Sequence, residues 1–414
     1  MHNSCFFNEK DVLATAEDKG GATMLPNPYT PGAGLVPSYL AGREDTMKEA
    51  QEVVVSLVHG FPTRSVVYYG LRGVGKTVLL NKIEKIVEEK DVLYEHIEVS
   101  ERSSFKTAIS LHIQKLIKQL SIKEQAKSYV QKAWAVLKAF KITYSPEGEV
   151  GVGLDGDIVA AAGVSDTGNF QNDLTELFLA MGNLAQKSER AVCIFIDEIQ
   201  YLKDDEFEAL IAAIHRVNQR GLPIALFAAG LPKIAKIAGD VKSYAERLFS
   251  FIPIDSLDQD AALLALVEPA RKLGVTYTEE AVKEMVAVTG GYPYFLQEYG
   301  KQVWAFIKDQ RIDLAAVKEA YPVFEKNLDE SFFKVRYDRA TPREKEFMMA
   351  MADCGELPCS MNQVASKMGS TVSSISPLRG QLIFKGFIYA ARYGEVDFTV
   401  PQFKEYLHRV KDAE

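Results

Sequence analysis

Apolar residues along this chain occur in two alternating patterns. Continuous apolar runs of strand length occupy residues 192–196 and 224–229, and shorter β-rich runs occupy residues 65–69 and 92–99. Between them, apolar residues recur at helical spacing and predict helices over residues 45–59, 77–90, 104–140, 172–187 and 207–220. Strands buried on both faces of a parallel sheet are continuously apolar, and their alternation with helices is typical of α/β folds. The pattern predicts an α/β core built on a parallel sheet.

The same pattern divides the chain into four predicted regions. Residues 1–30 lack apolar periodicity and predict a flexible arm, and residues 31–255 form the core. Within the core, glycines alternate with apolar residues over 142–158, which predicts an inserted β-hairpin. The apolar pattern over residues 256–326 predicts an all-helical lid. Residues 327–414, the C-terminal module, predict three helices and a hairpin, the order of elements in a winged helix.

Composition narrows the class of protein. The apolar share of 47% allows a sizeable core, and no window holds 18 consecutive apolar residues, so no transmembrane helix is expected. The four cysteines lack zinc-type spacing, which favours reduced thiols and a cytoplasmic protein. The net charge of −8 argues against a uniformly basic nucleic-acid binder. Residues 331–414 carry +2, however, so any DNA contact is expected there.

One motif predicts a phosphate-binding loop. Residues 70–77, the phosphate loop, read Gly-Leu-Arg-Gly-Val-Gly-Lys-Thr and match the spacing G-x-x-x-x-G-K-[ST] between a strand and a helix. Glycines allow backbone N–H groups to point at phosphate oxygens, and a helix N-terminus attracts anions. Lys76 would reach the phosphates of ATP and Thr77 would ligate Mg²⁺. The residues predicted to surround the nucleotide phosphates are Gly70, Arg72, Gly73, Val74, Gly75, Lys76, Thr77 and Val78. The alternative is a chance match.

A second motif supplies carboxylates. The apolar run 192–196 ends in Asp197 and Glu198, and buried charge at a strand end needs a compensating cation. Mg²⁺ would supply it, with Asp197 in the metal shell and Glu198 orienting or deprotonating the attacking water. The alternative is that Asp197 caps a surface helix.

These motifs, in this order on an α/β core, resemble the AAA+ superfamily of P-loop ATPases. Gly42-Arg43-Glu44, the run from Asp197 to Leu202, and Gly290-Gly291-Tyr292-Pro293 are similar to motifs of origin-recognition-complex-like initiators and of the related STAND (archaeal-type) ATPases. The resemblance covers residues 37–407. It implies that Tyr292 and Pro293 face the nucleotide base, and that the C-terminal module is a winged helix.

The chain departs from that family in two places. No polar sensor residue follows the run 224–229, and no arginine follows Pro293 in the lid. Slow hydrolysis, as in a switch, is therefore expected rather than a motor. Arg247 stands at a position where the resemblance implies a catalytic arginine that acts on the nucleotide of a neighbouring subunit. The resemblance therefore also implies an ATP-dependent homo-oligomer. The alternative for Arg247 is a surface residue paired with a nearby acid.

Charge distribution suggests where DNA would bind. No Asp or Glu occurs between residues 357 and 394, a span that contains Lys367, Arg379, Lys385 and Arg392. Absence of acids suits contact with duplex phosphates, and Ser374 is placed to reach bases or phosphates. Two alternatives remain: the module binds protein, as in a STAND-like signalling scaffold, or the inserted hairpin 142–158 contacts a partner or DNA.

Overall fold

A five-stranded parallel sheet forms the centre of the core. The computed structural model describes residues 25–101, 103–121, 126–144, 160–161, 163–234 and 245–413. The sheet order is β2-β3-β4-β1-β5, and every pair is parallel. In chain order the core contains α1 (Glu44–Val58), β1 (Ser65–Tyr69), α2 (Lys76–Glu89), β2 (Leu93–Glu98), α3 (Phe105–Leu120), α4 (Lys127–Tyr144), α5 (Phe170–Lys187), β3 (Val192–Asp197), α6 (Asp204–Gln219), β4 (Ile224–Gly230), α7 (Ala245–Leu248) and β5 (Phe249–Pro253).

Helices cover both faces of this sheet, which explains the continuous apolar runs. All residues of β3 and β4 are buried. Phe195 packs in the cluster that contains α1 and α2, whereas its neighbours Ile194 and Ile196 pack in the cluster that contains α3 to α6. The predicted α/β fold with a parallel sheet is confirmed. None of the helices among the described residues is both long and apolar enough to span a membrane.

One sequence prediction for the core needs correction. The region 104–140, predicted to be helical, contains two helices, α3 and α4, which are separated after Leu120. The hairpin predicted over 142–158 is wrong at its start, because Ile142 to Tyr144 complete α4. Tyr144 fixes this end, since its hydroxyl donates a 2.6 Å hydrogen bond to Asp173 of α5. The remaining residues of the predicted hairpin, 145–158, lie outside the described residues.

The lid follows the sheet. It was predicted to be all-helical and is mainly helical, with two short strands. It contains α8 (Gln259–Arg271), β6 (Thr276–Tyr277), α9 (Glu279–Thr289), α10 (Pro293–Val303), β7 (Arg311–Ile312) and α11 (Leu314–Asn327). The two short strands pair in parallel and were not predicted. Two-residue strands carry no periodicity of their own, so only the contact between distant segments defines them.

The segment before the core packs against the lid. Tyr29 is 3% exposed, and its hydroxyl donates a 2.5 Å hydrogen bond to the carbonyl oxygen of Leu266. Its ring meets Trp304 edge-on at 5.8 Å. The prediction of a flexible arm is therefore wrong for residues 25–30, because burial of one aromatic ring anchors them. Residues 1–24 lie outside the described residues.

A helical segment connects the lid to the C-terminal module. A π-helical turn (Leu328–Phe333) leads from α11 into α12 (Lys334–Tyr337). The module then contains α13 (Pro342–Ala352), β8 (Cys359–Ser360), α14 (Met361–Lys367), α15 (Val372–Phe384), β9 (Ile388–Tyr389), β10 (Glu395–Phe398) and α16 (Phe403–Ala413). Its strands form an antiparallel sheet of order β8-β10-β9. The three predicted helices and the hairpin are present, whereas β8 and α16 were not predicted.

The contact between Tyr29 and Gly300 generates a stability prediction. A Cβ on Gly300 of α10 would lie 2.6 Å from the Tyr29 ring. Gly300→Ala is expected to lower the free energy of unfolding by about 1–3 kcal/mol, because the ring has to move out of a packed site. Urea denaturation measures this change.

Gly380→Ala is the matched control, because Gly380 is also inside a helix but has open space around its Cβ position. It is expected to leave stability unchanged or raise it by up to about 1 kcal/mol. Equal effects of the two substitutions would contradict the packing of Tyr29.

Candidate nucleotide-binding site

A cavity of about 690 Å³ lies where the core, the lid and the segment after α11 meet. A volume of this size suits a ligand of a few hundred daltons. The phosphate loop forms one wall, Asp197 and Glu198 form another, and Pro293 and Tyr294 of α10 form the lid side. The carboxyl ends of β1 and β3 therefore deliver both sequence motifs to one site.

Glycines of the phosphate loop occupy positions that a side chain cannot share. A Cβ on Gly70 would lie 2.0 Å from the carbonyl oxygen of Ile254, which follows β5. Gly73 has a φ of +80°, and a Cβ there would lie 2.6 Å from the Tyr292 hydroxyl. Gly75 has a φ of +94° and is the N-cap of α2. The left-handed backbone turns the chain so that the N-terminus of α2 faces the cavity.

Lys76 is a buried cation at this helix start. Its side chain is 8% exposed, and Nζ donates hydrogen bonds to the carbonyl oxygens of Gly70 at 3.0 Å and Leu71 at 2.7 Å. Burial lowers the pKa of Lys76 to about 8, although Glu198 and Asp197 act in the opposite direction. An incoming phosphate would offset this desolvation.

Thr77 and Asp197 present oxygen atoms side by side. The Thr77 hydroxyl donates a 2.6 Å hydrogen bond to Oδ2 of Asp197. Burial raises the pKa of Asp197, and the bond from Thr77 acts against that shift. Asp197 does not cap a helix, because Lys203 is the N-cap of α6 and Glu198 precedes the 3₁₀ turn Ile199–Tyr201. The pair fits Mg²⁺, which takes one or two protein oxygens and completes its shell with phosphate and water.

Glu198 lies in a strained backbone conformation at the end of β3. Its φ is +53°, in the left-handed region that non-glycine residues rarely adopt. Oε1 of Glu198 is 3.9 Å from Nη1 of Arg72, and Gln200 donates a hydrogen bond to its Oε2. Gln200 also accepts a 3.0 Å bond from the backbone N–H of Leu231, directly after β4. The polar group at the end of β4 thus comes from Gln200, and sequence reasoning missed this role.

Other residues at the site were not predicted from the sequence. Arg43 donates to the backbone oxygens of Asp255 at 2.5 Å and Val74 at 3.3 Å, and so fastens the phosphate loop to the end of β5. Its signal was present in the motif Gly42-Arg43-Glu44. Tyr294 and Arg336 also line the cavity. Arg336 had no sequence signal, because it lies beyond the lid.

Some of the predicted nucleotide-binding residues do not line the cavity. Val78 lines it, but Gly70 does not, and the Tyr292 ring, 1% exposed, packs against Gly73. Arg247 is exposed on α7 and does not line the cavity.

The five residues predicted to contact DNA are all in the C-terminal module: Lys367, Ser374, Arg379, Lys385 and Arg392. Lys385 donates a 2.8 Å bond to the buried carboxylate of Glu344, which gives it a structural partner.

Comparisons with known proteins match two parts of this chain. Residues 39–227 match the AAA ATPase domain, and residues 330–407 match a domain of unknown function, DUF8462. The solved Walker-type ATPase PABY2304 of Pyrococcus abyssi is 15% identical with a TM-score of 0.54, over 89% of this chain and 96% of that one. The Orc1 protein of Aeropyrum pernix in complex with DNA is 16% identical with a TM-score of 0.46, over 91% and 96% of the two chains. No curated protein sequence matches.

The site fits the class of protein that matches this part of the chain. Residues 39–227, which match the AAA ATPase domain, contain β1 to β3 of the parallel sheet, the phosphate loop that follows β1 and the carboxylates at the end of β3. Nucleotide hydrolysis is the general activity of this class. The similarity to the Pyrococcus protein supports the AAA+ fold alone.

Gly73 offers a test of the loop geometry. Gly73→Ala is expected to weaken nucleotide binding at least about tenfold, because the added methyl group collides with Tyr292 and displaces the loop. Isothermal titration calorimetry measures the affinity.

Gly163→Ala is the control, since Gly163 has a similar φ of +76° but open space around its Cβ position. Both substitutions carry the backbone cost of about 1 kcal/mol for the left-handed region. Nucleotide affinity that stays unchanged in Gly73→Ala would argue against this site.

Proposed function

We propose that this chain is an ATP-dependent switch whose core, within residues 31–255, controls the position of the C-terminal module. ATP would bind with Mg²⁺, be hydrolysed slowly, and favour a homo-oligomer. The module would be a winged helix that contacts duplex DNA. The observation that carries this proposal is a direct contact between the phosphate loop and the module.

That contact joins Arg72 to the end of α15. Gly386 follows this helix, and a Cβ on Gly386 would lie 2.8 Å from Nε of Arg72. Nη2 of Arg72 donates a 2.7 Å hydrogen bond to the Tyr201 hydroxyl, and the Tyr201 ring meets Phe384 edge-on at 6.2 Å. Nζ of Lys233 also lies over the Phe384 ring, 5.2 Å from its centroid. A residue expected to touch phosphates therefore also touches the module.

This shared residue gives nucleotide a means to move the module. A ligand shifts a conformational equilibrium only through a difference in its affinity for the two states. Arg72 supplies such a difference, because bound phosphate competes with Tyr201 and Glu198 for the same guanidinium. Binding of ATP would thereby change the contact at Gly386 and release or reorient the module.

The same residues account for slow hydrolysis. Lys76 would bind the phosphates, and Thr77 and Asp197 would hold Mg²⁺, which neutralises charge on the phosphate oxygens. Glu198 would accept the proton of the attacking water, positioned by Gln200. Glu198 lies close to Arg72, so the proposed base is partly occupied until phosphate draws that guanidinium away.

Arg247 fits the oligomer part of the proposal. Its side chain is exposed and lies outside the cavity of its own chain. An exposed arginine of this kind is available to a neighbouring chain, where it would stabilise charge on the transferred phosphate.

Two substitutions separate binding from hydrolysis. Lys76→Ala is expected to weaken ATP binding by about a hundredfold, because it removes the cation at the start of α2. Glu198→Gln is expected to retain binding and lose turnover, because the amide cannot accept the proton. Calorimetry and phosphate release measure the two properties.

Lys85→Ala is the control for charge, because Lys85 is exposed on the same helix. It is expected to behave as the wild type. ATP binding and hydrolysis that both survive in Lys76→Ala would overturn the ATPase proposal.

The proposed DNA surface is the exposed part of the module. Lys367 and Arg392 are exposed, and Ser374 is exposed in the first turn of α15. Arg379 is partly buried, and Lys385 is paired with Glu344. The contact with DNA would therefore use the first half of α15 and the β9–β10 turn, because the end of α15 packs near the core.

A protein-binding module is the second candidate, as in a STAND-like scaffold. Tyr393 in the β9–β10 turn is fully exposed, and Phe384 is about half exposed. Exposed aromatic side chains suit a protein interface. Because Lys385 is paired with Glu344, the module also has one cation fewer for contact with DNA phosphates.

A salt titration of duplex binding distinguishes the two candidates. Neutralised phosphates release counterions, so affinity for DNA is expected to fall steeply with salt. In the double variant Lys367→Ala, Arg392→Ala the slope of log affinity against log salt should decrease by about 0.9 for each phosphate that the protein no longer neutralises.

Arg311→Ala is the control, because Arg311 is an exposed cation of the lid, in β7. It should retain the wild-type slope. Duplex affinity that is absent, or equal in all three proteins, would contradict DNA binding by this surface and favour the protein-binding module.

A further inference from the structure

Arg336 is a cation in the wall of the nucleotide cavity, and the described residues give it no anionic partner. It lies in α12, between the lid and the rest of the C-terminal module. Its guanidinium carbon is 3.8 Å from the centroid of the Phe332 ring, and Phe332 stacks on Tyr294 at 4.6 Å. Nη1 of Arg336 is shielded from solvent and has no hydrogen-bond partner within the described part of the chain. The ion pairs formed there do not include Arg336 either.

The surroundings of Arg336 disfavour an unpaired charge. Burial lowers the pKa of Arg336 to about 10, and nearby Arg72 acts in the same direction, against the effect of Tyr292. A partly buried guanidinium near a second guanidinium is costly unless an anion compensates both. The planar N–H groups of arginine match the oxygens of a phosphate group. An anionic ligand in the cavity would satisfy the orphaned Nη1.

The position of Arg72 indicates which phosphate this would be. Arg72 is 3.9 Å from Glu198, the proposed base, which acts beside the terminal phosphate. Lys76 and the N-terminus of α2 hold the inner part of the loop. Arg72 and Arg336 line the same cavity, and Arg72 acts on the pKa of Arg336, so both guanidinium groups are available to a third phosphate beside Glu198.

We propose that Arg336 binds the terminal phosphate of the bound nucleoside triphosphate. This inference rests on the proposed binding of ATP and adds a residue from outside the core and lid. Arg336 lies in α12, which follows the π-helical turn at the start of the C-terminal module. A terminal phosphate bound by Arg336 would therefore fasten this start to the nucleotide.

The same helical segment also holds the end of the module. Asp329 in the π-helical turn accepts two hydrogen bonds from Arg409 of α16, at 2.8 and 2.5 Å. Loss of the terminal phosphate would free Arg336 while Arg409 stays bound to Asp329. The segment would therefore link the nucleotide state to the position of α16, because Arg336 binds the phosphate and Arg409 binds Asp329.

The test compares a triphosphate with a diphosphate in Arg336→Met. Methionine retains an apolar stem against Phe332 and removes the guanidinium. Calorimetry with Mg²⁺ should show affinity for a non-hydrolysable ATP analogue falling at least about tenfold, as expected when a charge-assisted hydrogen bond is removed. Affinity for ADP should change less than about threefold, since ADP lacks the terminal phosphate. Arg339→Met, at an exposed arginine three positions further along, should leave both affinities unchanged.

The unfolding midpoint without nucleotide separates binding from a packing role. Arg336→Met should keep or raise the midpoint, because it removes an uncompensated charge that is partly buried. A lowered midpoint with unchanged affinities would assign Arg336 to packing on Phe332 and overturn the inference. Equal weakening of ADP and the analogue would overturn the assignment to the terminal phosphate.

Failure of the proposed function has a different signature. If wild-type protein and Lys76→Ala bind the analogue equally, the phosphate loop is not the site, and the inference falls with it. If Lys76→Ala abolishes binding while Arg336→Met matches the wild type for both nucleotides, the ATPase proposal stands and only the inference about Arg336 is overturned.

Discussion

Repulsion among three cations that line one cavity is the constraint on which the arrangement of this molecule depends. Lys76 is buried at the start of α2, Arg72 projects from the phosphate loop, and Arg336 enters from the segment after the lid. Like charges interact more strongly in a low dielectric than in water, so packing has to hold these groups together. The Phe332 ring supports Arg336, and the module backbone at Gly386 supports Arg72. A polyphosphate ligand would replace this repulsion by attraction.

The cavity is also the meeting point of the three parts of the chain. The core contributes Lys76, the lid contributes Tyr294, and the C-terminal module contributes Arg336 and the contact at Gly386. A site assembled from separate parts responds to its ligand by changing their relative positions, since each part interacts with the ligand and not only with its neighbours. This arrangement is the basis of the proposed switch. In that proposal, the contacts of Glu198 with Arg72 and Gln200 account for slow turnover.

Local features of the fold and site were predictable from the sequence. The phosphate loop depends on a short motif, and β3 and β4 depend on continuous apolar runs, so both were found in nearly the correct place. Long-range contacts were not predictable. Gln200 acts at the end of β4 because the 3₁₀ turn folds beside it, and Arg336 reaches the cavity only after the lid has packed. Tyr29 looked flexible because its partners, Leu266 and Trp304, are distant in sequence.

The most direct measurement is the thermal unfolding midpoint in the presence of Mg²⁺ with adenosine, ADP or ATP at equal concentrations. A ligand that binds the folded state raises the midpoint by an amount that grows with its affinity. If Lys76, Arg72 and Arg336 form a polyphosphate site, the midpoint rises in the order adenosine, ADP, ATP, and this order disappears in Lys76→Ala. A midpoint that responds to adenosine as strongly as to ATP, or to none of the three, would contradict a cavity built for phosphate.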